Sequence, residues 1–348
     1  MLRPPPHVEF LQGYPGIPGN TDRKGAMVQG TLEVRGTVKA KWVRVELRKI
    51  EILPGGGQNN TFAETIGERP ITLWTAGQDE FSELTSNDFP FHIAVPETLP
   101  PSIALERGAA IKYELIASVQ LKGKKSIFKR DPAPISTFSA PIVIEKFELL
   151  QAWPIYAQPQ TRQSTGYGVT FIVTFGRVAF GPGDVVPVEA ILRADVPGDG
   201  AILRAYELTV RETLIFRASP PQLPQHNHLH IHSQQPPKRT PAAQTRSNLI
   251  ADQKVPVPVQ IFPGTQHKCE LGCQIPLIQT NVSVRTARHI EVNYIVQVKA
   301  VLSTGSTVSV ELPITITNWQ HQASLDVVRR IGYCAELTGQ AHPPAQPV

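Results

Sequence analysis

The sequence predicts an all-β chain built as two β-sandwiches in tandem, and three observations carry that expectation. Apolar residues take every second position in segments spread along the chain, as half-buried strands require. The 33 prolines and 25 glycines fall between short apolar runs rather than in one block, which marks many turns between many strands. A length of 348 residues, at roughly 150 per domain, suffices for two domains that each bury a core. With 41% hydrophobic and 18% charged residues, composition favours packing over disorder.

In chain order, the first alternation is Val43, Val45 and Leu47; beyond it the apolar parity shifts to Ile50 and Ile52, which predicts a bulge or the end of the strand. Gly55-Gly56-Gly57 lacks the Lys-Ser/Thr and the helix of a phosphate-binding loop and reads as a hairpin connection. The clearest strand is IKYELIASVQL. There Ile111, Tyr113, Leu115, Ala117, Val119 and Leu121 share one face, and Ile116 interrupts the polar one. Later strands follow the same rule at Val169, Phe171, Val173 and Phe175; at Tyr206, Leu208, Val210, Leu214 and Phe216; at Ile290, Val292, Tyr294, Val296 and Val298; and at Val308, Val310, Leu312 and Ile314.

Between the two sets of strands, residues 150–168 carry two prolines and little periodicity, and they mark the domain boundary. The expected organisation is a sandwich over residues 1–152, a second over 153–320, and a short helix with a tail over 321–348. Each half holds strands enough for an immunoglobulin-like sandwich of about seven. Residues 218–256 are rich in Pro, Gln and His and predict a mobile loop inserted in the second domain. Helical spacing is confined to ASLDVVRRIGYCAEL, where Leu325, Val328 and Ile331 recur every third position.

The formal charge is +5, with acidic and basic residues near balance in both halves, so nucleic-acid binding is not expected. No run approaches a signal peptide or the roughly 18 apolar residues of a membrane span. Three cysteines, Cys269, Cys273 and Cys334, suit a reducing compartment. The expectation is a cytoplasmic protein.

Several segments resemble the arrestin family. DFPFHIAVPETLPPSIALERGAAIKYELIASVQLKGKK is similar to the arrestin amino-terminal domain, with MVQGTLEVRGTVKAKWVRVELRKIEI similar to its early strands and APIVIEKFELLQAWP to its last. FGRVAFGPGDVVPVEAIL resembles the turn that opens the carboxy-terminal domain, and IEVNYIVQVKAVL with VSVELPITI its closing strand pair. The phrases LPITITNW and VVRRIG resemble the α-arrestin branch, fungal members among them. That resemblance implies the arrestin fold and a non-enzymatic adaptor. Such adaptors bind cytoplasmic segments of plasma-membrane transporters or receptors, associate peripherally with plasma membrane or endosomes, and bring a HECT-type ubiquitin ligase that drives endocytosis. Some relatives serve ambient-pH signalling, and the arrestin-like subunit of retromer uses the same architecture as a coat component. One departure stands out: no Pro-Pro pair here is followed by the tyrosine of a Pro-Pro-x-Tyr ligase motif.

For sites, Lys122, Lys124, Lys125, Lys129 and Arg130 crowd into one connection after a strand. They form either a grip for phosphorylated residues and anionic lipid or a solvated turn. His226, His228, His230 and His232 alternate, yet no spacing matches an established zinc motif. Trp42, Trp74, Trp153 and Trp319 suit packing better than surface anchoring. No nucleophile or paired-carboxylate motif stands out, so neither catalysis nor a cofactor is expected.

Overall fold

The computed structural model describes residues 2–3, 7–12, 26–67, 69–77, 80–96, 98–123, 134–148, 158–195, 200–218, 243–278 and 281–331. They form two compact units that divide between Lys146 and Phe147, two residues before the end of the strand that closes the first. The first holds β1 (Leu2–Arg3), β2 (His7–Gln12), β3 (Met27–Val34), β4 (Val38–Ile52), β5 (Thr61–Thr65), β6 (Ile71–Thr75), β7 (Ser82–Leu84), β8 (Asn87–Ala94), β9 (Ile103–Ala104), β10 (Ala110–Leu121) and β11 (Ile135–Glu148). One sheet runs β1-β3-β8. The other runs β2-β11-β10-β4-β5, with β6 and β7 also pairing β4 and β9 pairing β10.

The second unit holds β12 (Gln160–Gly166), β13 (Val169–Phe175), β14 (Ala179–Phe180), β15 (Val185–Ala194), β16 (Ala201–Phe216), β17 (Gln244–Ile261), β18 (Gln266–Gln274), β19 (Ile290–Leu302) and β20 (Thr307–Ile316), then helix α1 (His321–Ile331). Its sheets run β12-β13-β15-β18 and β14-β20-β19-β16-β17. Antiparallel ladders dominate, while β14 lies parallel on β20. The chain is therefore all-β, two sandwiches in tandem. Among the described residues no helix is long and apolar enough to cross a membrane.

Alternation does place the core. Val43, Val45, Leu47, Ile111, Tyr113 and Leu115 are buried in the first unit, and Phe171, Phe175, Tyr206, Tyr294, Val296 and Ile314 in the second. Burying each such aliphatic or aromatic side chain contributes roughly 1.5–3 kcal/mol.

Two expectations need correction. No bulge or strand end follows Leu47: β4 stays in register with β10 from Ile52 opposite Ala110 to Trp42 opposite Gln120, and its irregularities lie before Leu47, opposite Gln120 and Leu121 of β10 and at Val43 and Arg44 against β6. The parity shifts because Lys49 and Glu51 take the core-facing positions, at 5% and 1% exposure. The predicted loop 218–256 is also too long, since residues 244–256 belong to β17, which pairs along β16. As an edge strand, β17 exposes alternate side chains and tolerates Pro256 and Pro258, so it reads as a loop. Residues 219–242, with the four alternating histidines, lie outside the described residues, as do Trp153, Cys334 and the tail. Within the expected linker, β12 is a strand whose polar residues leave no apolar period to detect.

Candidate functional site

A binding surface needs charges or apolar groups held where a partner can reach them, and the basic connection after β10 offers charges of that kind. Lys122 is exposed where β10 ends, and its backbone N–H donates to the Lys39 carbonyl (2.8 Å). Lys124, Lys125, Lys129 and Arg130 lie outside the described residues. The pairing of β4 with β10 adds what the sequence did not reveal, because Lys39 and Lys41 are exposed beside Lys122. Glu83 of β7 stands opposite Lys39 and supplies a local counter-charge. A signal existed in the VKAKW alternation, but joining segments some eighty residues apart requires the strand register.

Inside the first unit, Lys49 Nζ lies 3.0 Å from both Glu51 and the half-exposed Glu64. The row Ile142–Tyr113–Lys49–Glu64 crosses four strands in register. Burial pushes the Tyr113 phenol well above its usual range, and the Glu51 and Glu64 charges add to the shift. Lys49 and Glu51 are buried away from any partner, so the chemistry of this cluster is structural.

In the second unit the Gly181-Pro182-Gly183-Asp184 turn does more than reverse the chain. Asp184 accepts hydrogen bonds from the Gly181 N–H (2.8 Å) and from the His321 N–H at the start of α1 (3.1 Å), and it faces Arg177 at 3.4 Å. A carboxylate at that helix start satisfies orphan donors and suits the dipole. Arg177 stacks over Phe180 at 4.9 Å. Burial depresses the Arg177 guanidinium, opposed by Asp184; burial and the Arg177 charge hold the His321 imidazole below its ordinary value, again opposed by Asp184. The turn thereby docks α1 onto the sandwich.

Elsewhere in that unit Glu212, 2% exposed, accepts hydrogen bonds from Asn248, Asn281 and the Tyr294 hydroxyl (2.8, 2.8 and 2.7 Å). Cys269 is half-buried and Cys273 buried, and burial pushes the Cys273 thiol up to about 11, away from reactivity. Among the described residues no three His, Cys, Asp or Glu side chains gather as around a metal. Trp42, Trp74 and Trp319 are half-buried, and Arg44 stacks on Trp42 at 4.4 Å.

Comparison with known proteins adds one match. Residues 168–321 fit the family model described as Arrestin (or S-antigen), C-terminal domain. The matched stretch takes in the Asp184 turn and ends at the first residue of α1. No curated protein matches the chain.

Proposed function

We propose that the chain as a whole is an arrestin-type adaptor of the α-arrestin branch, a non-catalytic cytoplasmic protein that links plasma-membrane transporters or receptors to ubiquitin-dependent endocytosis. The observation that carries this reading is the fit of residues 168–321 to the arrestin C-terminal domain, preceded by a second two-sheet unit. In this reading Lys122, Lys124, Lys125, Lys129 and Arg130, joined by Lys39 and Lys41, grip phosphorylated residues or anionic headgroups through charge-assisted hydrogen bonds. In this reading a HECT-type ubiquitin ligase is recruited either directly or through a partner protein, and no Pro-Pro-x-Tyr stands in this sequence.

Proximity labelling by the intact chain in its own cells tests this. The expected neighbours are a membrane transporter or receptor together with a ubiquitin ligase, and a neighbourhood without either would overturn it. The same missing motif favours a second reading, a scaffold subunit of the retromer arrestin-like kind. A constitutive large assembly on size exclusion, free of ligase, would support that alternative.

A further inference from the structure

A shallow groove of about 310 Å³ opens on the outer face of the β12-β13-β15-β18 sheet. Its shape follows from the sequence. Pro187 stands opposite Gly272, and a Cβ on Gly176 would meet Pro187 at 3.5 Å, so this level of the sheet carries no tall side chain. The next level does: Thr174, Glu189 and Glu270 stand in register across three strands and form one wall. Thr161 extends that level, its hydroxyl 3.0 Å from the Thr174 hydroxyl, and Pro159 joins the lining.

The wall is electrostatically unbalanced. Glu189 and Glu270 are direct cross-strand partners, an arrangement that repels. Lys268 pairs with Glu189 at 2.6 Å, and its ammonium is held more basic by that hydrogen bond and by both carboxylates. Glu270 is exposed and has no ion pair of its own among the described residues. A predominantly apolar groove with a carboxylate wall is complementary to a cation with an apolar stem.

We infer that this groove docks an extended basic segment of a partner protein, with a Lys or Arg side chain set between Glu189 and Glu270. A guanidinium would bridge the two carboxylates and relieve their repulsion. The low floor at Gly176 and Pro187 lets the segment's backbone lie close to the sheet, and the proline rings flank its aliphatic stems. The nature of the partner rests on the adaptor reading; the charge preference of the groove does not.

The test uses the intact chain and three labelled peptides of one Ser/Val/Pro background with central arginines, glutamates or norleucines, followed by fluorescence anisotropy. The arginine peptide is expected to bind about tenfold or more tighter than the other two, with the preference shrinking as salt rises. E189Q/E270Q should abolish the preference without changing the circular dichroism. Equal binding of the three peptides, or a preference that survives E189Q/E270Q, would overturn the assignment. Should the preference hold while proximity labelling finds no membrane-protein neighbour, the groove stands and the adaptor reading falls; the converse pair of results separates them the other way.

Discussion

Lys49 and Glu51, two residues apart on β4, point to the same side of the strand and pair at 3.0 Å inside the first sandwich, with side chains 6% and 2% exposed. Two ions have been taken out of water where Leu47 and Leu115 set the pattern of the core, and the pair offsets only part of that desolvation.

Removing one partner should therefore cost more than removing both. Lys49→Met leaves the Glu51 carboxylate buried without the lysine and is expected to destabilise the protein by about 3 kcal/mol, whereas Lys49→Met with Glu51→Leu should recover most of that loss. Urea unfolding of the single and double variants decides it. Equal losses would mean that the ion pair itself, and not the Glu51 charge left buried without its lysine, carries the stability.

How far the sequence reveals the molecule is visible at this same strand. Period-two reading finds Val43, Val45, Leu47 and the second-unit cores because an apolar side chain has one favourable side. It misplaces Lys49 and Glu51 because it sends every charge outward. It loses β17 because Pro256, Pro258 and a polar outer face imitate a loop on an edge that spares them the usual penalty. Site residues are harder still: Lys39 meets Lys122, and Glu189 meets Glu270, only through strand register.

Gly181 is required by close approach. A Cβ there would lie 1.7 Å from the Trp319 carbonyl oxygen, a backbone atom that cannot yield cheaply. Gly181→Ala should cost about 3 kcal/mol. Gly305→Ala meets nothing within 4 Å but sits at φ +79°, so it should cost about 1–2 kcal/mol from backbone strain alone. Thermal denaturation of the two variants ranks them, and the reverse order would refute the close approach.

The basic patch predicts a salt-sensitive contact. Charge reversal of Lys39, Lys41 and Lys122 together should weaken binding to phosphoinositide-containing vesicles, and physiological salt should weaken the wild type in the same direction, since the Debye length there is about 8 Å. Co-sedimentation reads both effects. Vesicle binding indifferent to the triple reversal would exclude these lysines from the contact.

At the start of α1, His321 provides a pH signature with a definite sign. Burial and Arg177 hold its folded-state value below the ordinary 6.5, against the pull of Asp184, so the unfolded chain binds the proton more readily. Stability then rises with pH across the window between the folded and unfolded values, and it is lost as pH falls below about 6.5. His321→Gln keeps the backbone N–H that Asp184 accepts and removes the titration. Between about pH 7 and 5 the wild type should lose stability relative to this variant. Parallel unfolding curves would mean that His321 does not titrate against folding.

The Glu212 cluster predicts an asymmetry between two conservative changes. The carboxylate accepts three hydrogen bonds from neutral donors on β17, on β19 and at Asn281. Glu212→Gln keeps the shape but turns one acceptor into an NH₂ donor aimed at a donor, leaving a buried polar pair unsatisfied, which costs about 1–3 kcal/mol. Tyr294→Phe deletes a hydroxyl that donates to Glu212 (2.7 Å) and contacts the Asn281 carbonyl (2.6 Å), yet Glu212 keeps its hydrogen bonds from Asn248 and Asn281, so about 1 kcal/mol is expected. Hydrogen exchange locates the damage: Glu212→Gln should loosen the β16–β17 and β16–β19 ladders together, because its partners Asn248 and Tyr294 sit on both flanking strands. Tyr294→Phe should loosen chiefly the β19 side and the segment at Asn281. A glutamine as stable as the native glutamate would show that one of the three donors is dispensable and that the carboxylate is not what ties the three strands.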